Sequence, residues 1–158
     1  MRFVCDQMFG TLASWLRLLG FDTFYTTEKI DDADLLTVAS TEKRTLLTRD
    51  KELVYRARRK LIPVVYIDDK DLNDQLKKVL EETQIQIDSQ RVLTRCSVCN
   101  DLLQPIEKKM VENRVPEHVY SVQLQFWQCM NCHRIYWQGT HYQKILATID
   151  TIKSELST

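Results

Sequence analysis

Residues 44–59 read Arg44-Thr45-Leu46-Leu47-Thr48-Arg49-Asp50-Lys51-Glu52-Leu53-Val54-Tyr55-Arg56-Ala57-Arg58-Arg59. Thr45 to Thr48 has the length and apolar content of a buried strand, and Lys51 to Arg59 reads as a helix with Asp50 where its N-cap belongs. Val64-Val65-Tyr66-Ile67 then supplies a further strand. Strand, helix and strand in such short order predict parallel neighbours in a sheet covered by helices on both faces.

The same alternation continues on either side. Arg2-Phe3-Val4-Cys5 reads as a strand, and Thr11 to Leu19 as a helix with Gly20 where a left-handed C-cap would sit. Thr23-Phe24-Tyr25 is a short strand. Asp32 opens a helix with Leu35, Leu36 and Ala39 on one face. Asp71 caps a last helix reaching about Glu82, with Leu72, Leu76, Val79 and Leu80 facing inward. Residues 1–90 are therefore expected to form an α/β domain, with the polar stretch Thr83 to Gln90 as its linker.

Residues 91–158 differ in character. Val92-Leu93 runs into Cys96-Ser97-Val98-Cys99, and Val122 to Trp127 alternates like a half-buried strand running into Cys129-Met130-Asn131-Cys132. Ile135-Tyr136-Trp137 is a return strand. Tyr142, Ile145, Leu146, Ile149, Ile152 and Leu156 share one helical face. A two-residue gap lets a tight turn aim both sulfurs at one ion, and two such turns complete the four-thiolate shell that zinc prefers. Cys96, Cys99, Cys129 and Cys132 are thus the zinc ligands, and a shell closed by protein makes the zinc structural. The 29 residues between the pairs fit a ribbon hairpin with a long tip. His133 is expected at the surface, and Cys5 as a small buried residue of its strand.

The whole chain has 158 residues, 44% hydrophobic and 28% charged, with 22 basic and 22 acidic side chains. Such a composition excludes global disorder, and the zero balance excludes a simple polybasic nucleic-acid binder. No apolar run approaches the roughly 20 residues that cross a bilayer. The N-terminus meets an acid, Asp6, before a signal core could form, so a soluble cytoplasmic protein is expected. Five cysteines with two C-x-x-C pairs and no secretion signal argue for metal rather than disulfides. The zero is a sum over metal-free side chains: residues 1–90 carry 14 basic and 16 acidic groups, and residues 91–158 carry 8 and 6.

Three acids fall where open α/β sheets place their chemistry, at the carboxyl ends of strands. Asp6 ends the first strand, Asp32 starts the helix after the second, and Asp50 follows the third. Converging carboxylates suit Mg²⁺ or Mn²⁺, which take hard oxygen ligands, and such a site can activate water against a phosphodiester. Asp32 and Asp50 also stand where helix caps belong, whereas Asp6 serves no evident cap. Arg49, Lys51, Arg56, Arg58, Arg59 and Lys60 crowd around the third acid, as a solvated helix face or as a hold on a polyanion.

Several blocks resemble the Mut-seven C-terminal RNase family. Phe3-Val4-Cys5-Asp6-Gln7-Met8-Phe9-Gly10-Thr11-Leu12-Ala13-Ser14-Trp15-Leu16-Arg17-Leu18-Leu19-Gly20-Phe21-Asp22 is similar to its opening, Asp32-Ala33-Asp34-Leu35-Leu36 to its second block, and Arg44 to Asp50 to its third. Arg95 to Asn100, Cys129 to Cys132 and Tyr136-Trp137-Gln138-Gly139-Thr140-His141 resemble its zinc-ribbon part. The resemblance implies a PIN-like nuclease core fused to a zinc ribbon and metal-dependent hydrolysis of RNA, leaving a 3′-hydroxyl and a 5′-phosphate. It carries over Asp6, Asp32 and Asp50 as catalytic carboxylates and ligands of Mg²⁺ or Mn²⁺. Asp31 or Asp34 could substitute for Asp32, and Asp68 or Asp69 matches a fourth acid by position alone. The expected RNA contacts are Arg17, Arg49, Lys51, Arg56, Arg58, Arg59, Arg134, Trp137 and His141. PIN-like relatives often pair, which allows a homodimer.

Three rival readings stand beside this one. A non-catalytic RNA-binding module would use the ribbon's aromatic residues and the basic helix, and would need zinc alone. Tyr136, Trp137 and Tyr142 could instead be packing between ribbon and terminal helix. A receiver-like phosphotransfer domain would want paired acids after the first strand and a lysine after the last, but Asp6 is followed by Gln7 and no lysine is suitably placed. A protein-interaction ribbon has no direct support.

Overall fold

Four short strands form a parallel sheet in the order β2-β1-β3-β4: β1 (Arg2–Cys5), β2 (Asp22–Phe24), β3 (Thr45–Thr48) and β4 (Val64–Tyr66). The structure is a computed structural model describing residues 1–158. In register Phe3 faces Thr45, and Leu46 faces Val64. Side chains alternate across the sheet. Phe3, Cys5, Leu47 and Val65 point to one face, which α1 (Gly10–Leu18) and α4 (Leu72–Thr83) cover. Val4 and Leu46 point to the other, under α2 (Asp32–Thr41) and α3 (Lys51–Arg59). The α/β architecture with helices on both faces is as expected. Leu12, Leu16, Leu47 and Leu76 are completely buried, and each such side chain contributes about 1.5–3 kcal/mol through burial.

Aspartates open three of these helices, but not all at the expected position. Asp50 caps α3 by accepting from the backbone N–H groups of Glu52 and Leu53, and Asp71 caps α4 by accepting from Asn73. Asp31 rather than Asp32 caps α2, its side chain accepting from the N–H of Asp34. After α1, Gly20 adopts φ +91, and a Cβ there would lie 2.4 Å from the carbonyl oxygen of Arg91. Only glycine permits both that backbone turn and that approach.

The C-terminal part is a three-stranded antiparallel ribbon, β5 (Leu103–Ile106), β6 (Phe126–Cys129) and β7 (Ile135–Tyr136), followed by α6 (Thr140–Leu156). The stretches leading into the two cysteine turns differ from the sequence pattern. Val92 and Leu93 form no ribbon strand; both are buried in the main core, and Leu93 donates its N–H to the carbonyl of Leu18. Residues before Phe126 are not strand either: α5 (Glu117–Val122) and a short loop occupy them, and Leu124 is 81% exposed. The hairpin tip carries its own small core of Val111, Val119 and Phe126.

Composition changes near residue 91, yet the core continues across that point. Ile145, Ile149 and Ile152 of α6 pack into the same cluster as Leu18, Leu76, Val79 and Leu80. Lys77 of α4 also meets Glu155 of α6 at 2.7 Å. The terminal helix therefore closes the sheet's core rather than serving the ribbon alone.

An ion cluster fastens the ribbon to the sheet at edge strand β2. Asp22 accepts from Arg44 at 2.7 Å, from the side-chain amide of Asn100 at 2.8 Å and from Arg2 at 3.1 Å. Asn100, in the left-handed region at φ 72 just after Cys99, also accepts from the N–H of Thr23. Burial opposes the Asp22 charge, but the hydrogen bonds from Arg44, Asn100 and Arg2 outweigh it and hold the carboxyl at about 2. A depressed acid contributes stability that is complete above its unfolded value and lost as pH falls through its folded value, here from about 4 toward about 2. Arg44 is only 5% exposed, and Asp22→Ala removes one of its two carboxylate partners while Glu42 at 2.6 Å remains, so the substitution is expected to cost about 1–3 kcal/mol at pH 7. Urea unfolding of both proteins at pH 7 and pH 2.5 checks this: the difference shrinks at the lower pH. An equal difference at both would remove the ion cluster as its cause.

Candidate functional site

The four cysteine sulfurs of the two C-x-x-C turns all lie within 4.8 Å of one another. Cys96 and Cys132 are 3.6 Å apart, Cys99 and Cys129 3.2 Å. Four thiolates about 2.3 Å from a tetrahedral zinc ion would be roughly 3.8 Å apart, so the donor set and its spacing fit the metal. Burial disfavours the Cys99 thiolate, but the Asp101 backbone and the neighbouring thiols outweigh it and lower its pKa to about 6. One sulfur is therefore ready to meet a cation as thiolate. The Tyr136 hydroxyl reaches the Cys96 sulfur at 3.1 Å while accepting from the Ser97 N–H. Such outer hydrogen bonds orient a ligand and moderate its charge. His133, at φ 63, is exposed and outside the cluster, as expected. Cys5 is buried in the sheet, and burial first of all pushes its pKa to about 12, so it is an inert thiol.

Arg17, expected at the RNA, is instead a buried clamp, 4% exposed. Its guanidinium donates to the carbonyls of Thr23 and Tyr25 and to those of Ser97 and Val98 inside the first cysteine turn. Its position one turn before a glycine bend is the only sequence signal of this role. A cation in the last turn of a helix usually faces solvent, so surface exposure was the natural expectation.

A second arrangement lies at the carboxyl ends of the two central strands, β1 and β3. In the order β2-β1-β3-β4 the chain winds outward in both directions from the β1–β3 pair. Crevices beside such a switch point, outside the carboxyl ends of the strands, are where open α/β sheets bind ligands. Asp6 follows β1 there, and Thr48-Arg49-Asp50 ends β3. The Thr48 hydroxyl donates to the Asp6 carboxylate at 2.8 Å and accepts from the Asp50 N–H at 3.1 Å. Thr48 is fully buried; it joins the two acids and was missed in the sequence, where a threonine between strand and cap carries no motif.

Asp6 also has the capping role that the sequence did not suggest. It accepts from the Gln7 N–H at 2.7 Å and opens a short 3-10 turn, Gln7–Phe9. In Asp50 one oxygen accepts both α3 N–H groups, leaving the other without a hydrogen-bond partner. Asp32 makes no hydrogen bond to this pair; it is half-buried in the first turn of α2, with Arg56 at 3.4 Å. The structure thus joins Asp6 to Asp50 and ties Asp32 to the basic helix instead. Carboxylate oxygens with spare lone pairs are the donors Mg²⁺ and Mn²⁺ take.

Of the basic groups near these acids, Arg49 donates to the carbonyl of Asp68, Lys51 lies 5.9 Å from the Tyr66 ring, and Arg59 lies 5.8 Å from the Tyr55 ring. Arg58 and Lys60 are exposed on α3 or just after it. In the ribbon, Arg134 and His141 are exposed, while Trp137 is half-buried and packs against Phe126 at 6.3 Å. Tyr142 packs against the main core and Tyr136 holds the first cysteine turn. All three aromatic residues therefore pack within the protein while staying partly exposed. No helix is long and apolar enough to cross a membrane.

The family model described as Mut7-C RNAse domain matches residues 1–149 of the 158. No curated protein matches the chain.

Proposed function

The chain belongs to the Mut7-C RNAse domain family, and on that premise we propose that it is a divalent-metal-dependent ribonuclease whose phosphodiester site is built on Asp6 and Asp50. Membership points to a nuclease and to RNA as its substrate. The observation that carries the site assignment is the Asp6–Thr48–Asp50 link at the β1–β3 switch point. Asp6 and Asp50 would hold Mg²⁺ or Mn²⁺, with Asp32 completing the set of acids or orienting the water.

The metal, when bound, supplies positive charge against the phosphate oxygens and lowers the cost of deprotonating water. The side chains do the rest. Thr48 fixes the Asp6 carboxylate in one orientation, so little reorganisation accompanies binding. Asp32 can accept the proton of the attacking water in an in-line displacement at phosphorus, while Arg56 offsets its charge. Arg49 and Lys51 flank Asp50 and would hold neighbouring phosphates, with Arg58 and Arg59 extending that hold along α3. The products would be a 3′-hydroxyl and a 5′-phosphate.

The test is incubation of zinc-loaded protein with single-stranded RNA, with and without added Mn²⁺. Cleavage is expected only with Mn²⁺, leaving ends that a 5′-phosphate-dependent exonuclease degrades. RNA that is bound yet intact with either metal present would make the protein a binder instead.

A further inference from the structure

Between the ribbon and the start of α6 lies a cleft of about 430 Å³, within the usual size range of small-ligand sites. It lies at the far end of α1 from Asp6, so about 14 Å of helix separates the two regions. His118, Arg134 and His141 line it from three different segments, and none of its lining residues is acidic. None of these three side chains makes an ion pair or a hydrogen bond, whereas all three nitrogens of the Arg17 guanidinium group are engaged. Tyr136, Trp137 and Tyr142 form the aromatic part of the wall over an apolar floor that includes Leu18 and Ile145.

The backbone adds to the same electrostatic sign. α6 starts at Thr140, and its cap residue Gly139 offers no side chain to the first N–H groups. Glycine is required there, because a Cβ would lie 2.7 Å from the Trp137 indole nitrogen. The close approach brings indole and open helix end together on one wall. Free N–H groups and the dipole of a 17-residue helix favour an anion at that end. The zinc thiolates oppose an anion, but they lie behind Tyr136, and Arg17 faces the same cysteine turn from the core.

We propose that this cleft is a nucleotide pocket that takes one unit of a single-stranded RNA, its base against the aromatic wall and its phosphate among Arg134, His118, His141 and the α6 terminus. Base stacking on aromatic rings tolerates any sequence, and phosphate contacts position the strand without reading it. The pocket would hold the chain well away from the acids, so substrates need enough length to reach both. The choice of RNA rests on the ribonuclease reading; the pocket's chemistry does not.

The experiment measures anisotropy of a short fluorescein-labelled oligoadenylate with zinc-loaded protein, without Mg²⁺ or Mn²⁺. Arg134→Glu is expected to weaken binding by about tenfold or more and to flatten its salt dependence, and His141→Ala to weaken it less. Both positions are exposed, and circular dichroism checks that the variants fold. Unlabelled single strand should compete well, and inorganic polyphosphate of equal charge poorly. Wild-type affinity in both variants overturns the pocket, as does polyphosphate competing as well as RNA. Adenosine monophosphate matching the strand per nucleotide would overturn the strand assignment in favour of a free nucleotide. Because no catalytic metal is present, loss of the nuclease reading leaves this result intact, and cleavage that is normal in Arg134→Glu with unchanged binding sinks the pocket alone.

Discussion

Asp6→Asn and Asp50→Asn each lower Mn²⁺-dependent cleavage of single-stranded RNA by about a thousandfold or more, which is about 4 kcal/mol of barrier. The substitution removes charge and keeps shape. In Asp6→Asn the amide oxygen still accepts from Gln7, and the amide nitrogen donates to Thr48, whose hydroxyl has a second lone pair for the Asp50 N–H. In Asp50→Asn the oxygen keeps both α3 N–H groups, and asparagine caps a helix as well as aspartate. Stability and zinc content should therefore match wild type. Thr48→Val separates charge from orientation: both acids remain, but the bridge is gone. A partial loss, restored by Thr48→Ser, is the mark of a positioning residue. Melting curves, zinc analysis and initial rates are measured on the same preparations. Full activity in both aspartate variants would sink the site assignment, and an unchanged rate in Thr48→Val would sink the role of the bridge.

Much of the sheet was legible because its signals are local. The buried run Thr45 to Thr48, the caps at Asp50 and Asp71 and the bend at Gly20 are each decided within a few residues. The difference between Asp31 and Asp32 as cap is one of geometry: adjacent acids look alike in a sequence, and only the backbone shows which one turns back to Asp34. The cysteine cluster was legible for another reason, since sulfurs paired at fixed spacing have few alternative uses. The ribbon was legible in part: the return strand at Ile135-Tyr136 and the run of Phe126-Trp127 into Cys129 are strand, but Val122 to Gln125 is not. Alternation from Val122 onward suggests a strand, but the small core of Val111, Val119 and Phe126 draws that stretch into a helix and a loop.

Contacts across long separations in the chain were invisible in the same way. Arg17 reaches Ser97 and Val98, and Asn100 reaches Asp22 and Thr23. No local pattern distinguishes these residues from ordinary surface groups. The acids fall between the two cases. Their position at strand ends could be read, and the resemblance named them, but the link through Thr48 and the separate pairing of Asp32 with Arg56 depend on how β1, β3, α2 and α3 meet.

The largest expected stability effect belongs to the four-cysteine cluster, and it should spread beyond the ribbon. Cys96→Ser is expected to reduce bound zinc from one ion per chain to none and to lower the melting temperature of the whole protein by more than about 15 °C. Structural zinc supplies about 10–16 kcal/mol in isolated finger peptides, and about 5 kcal/mol already shifts a domain of this size by that much. The link to the sheet is specific. The first cysteine turn presents its carbonyls to Arg17, and Asn100 holds Asp22 and Thr23 of the edge strand. When the turn loosens, a buried guanidinium loses two of its acceptors and an edge strand loses its cover, each a cost to the core. Cys5→Ala is the control: it removes a buried, metal-free thiol and should leave zinc content unchanged with a far smaller shift. Calorimetry distinguishes the outcomes. A ribbon that merely hung from the core would melt early and leave the main transition where it was, whereas a single lowered transition in Cys96→Ser means that zinc, Arg17 and the sheet unfold together.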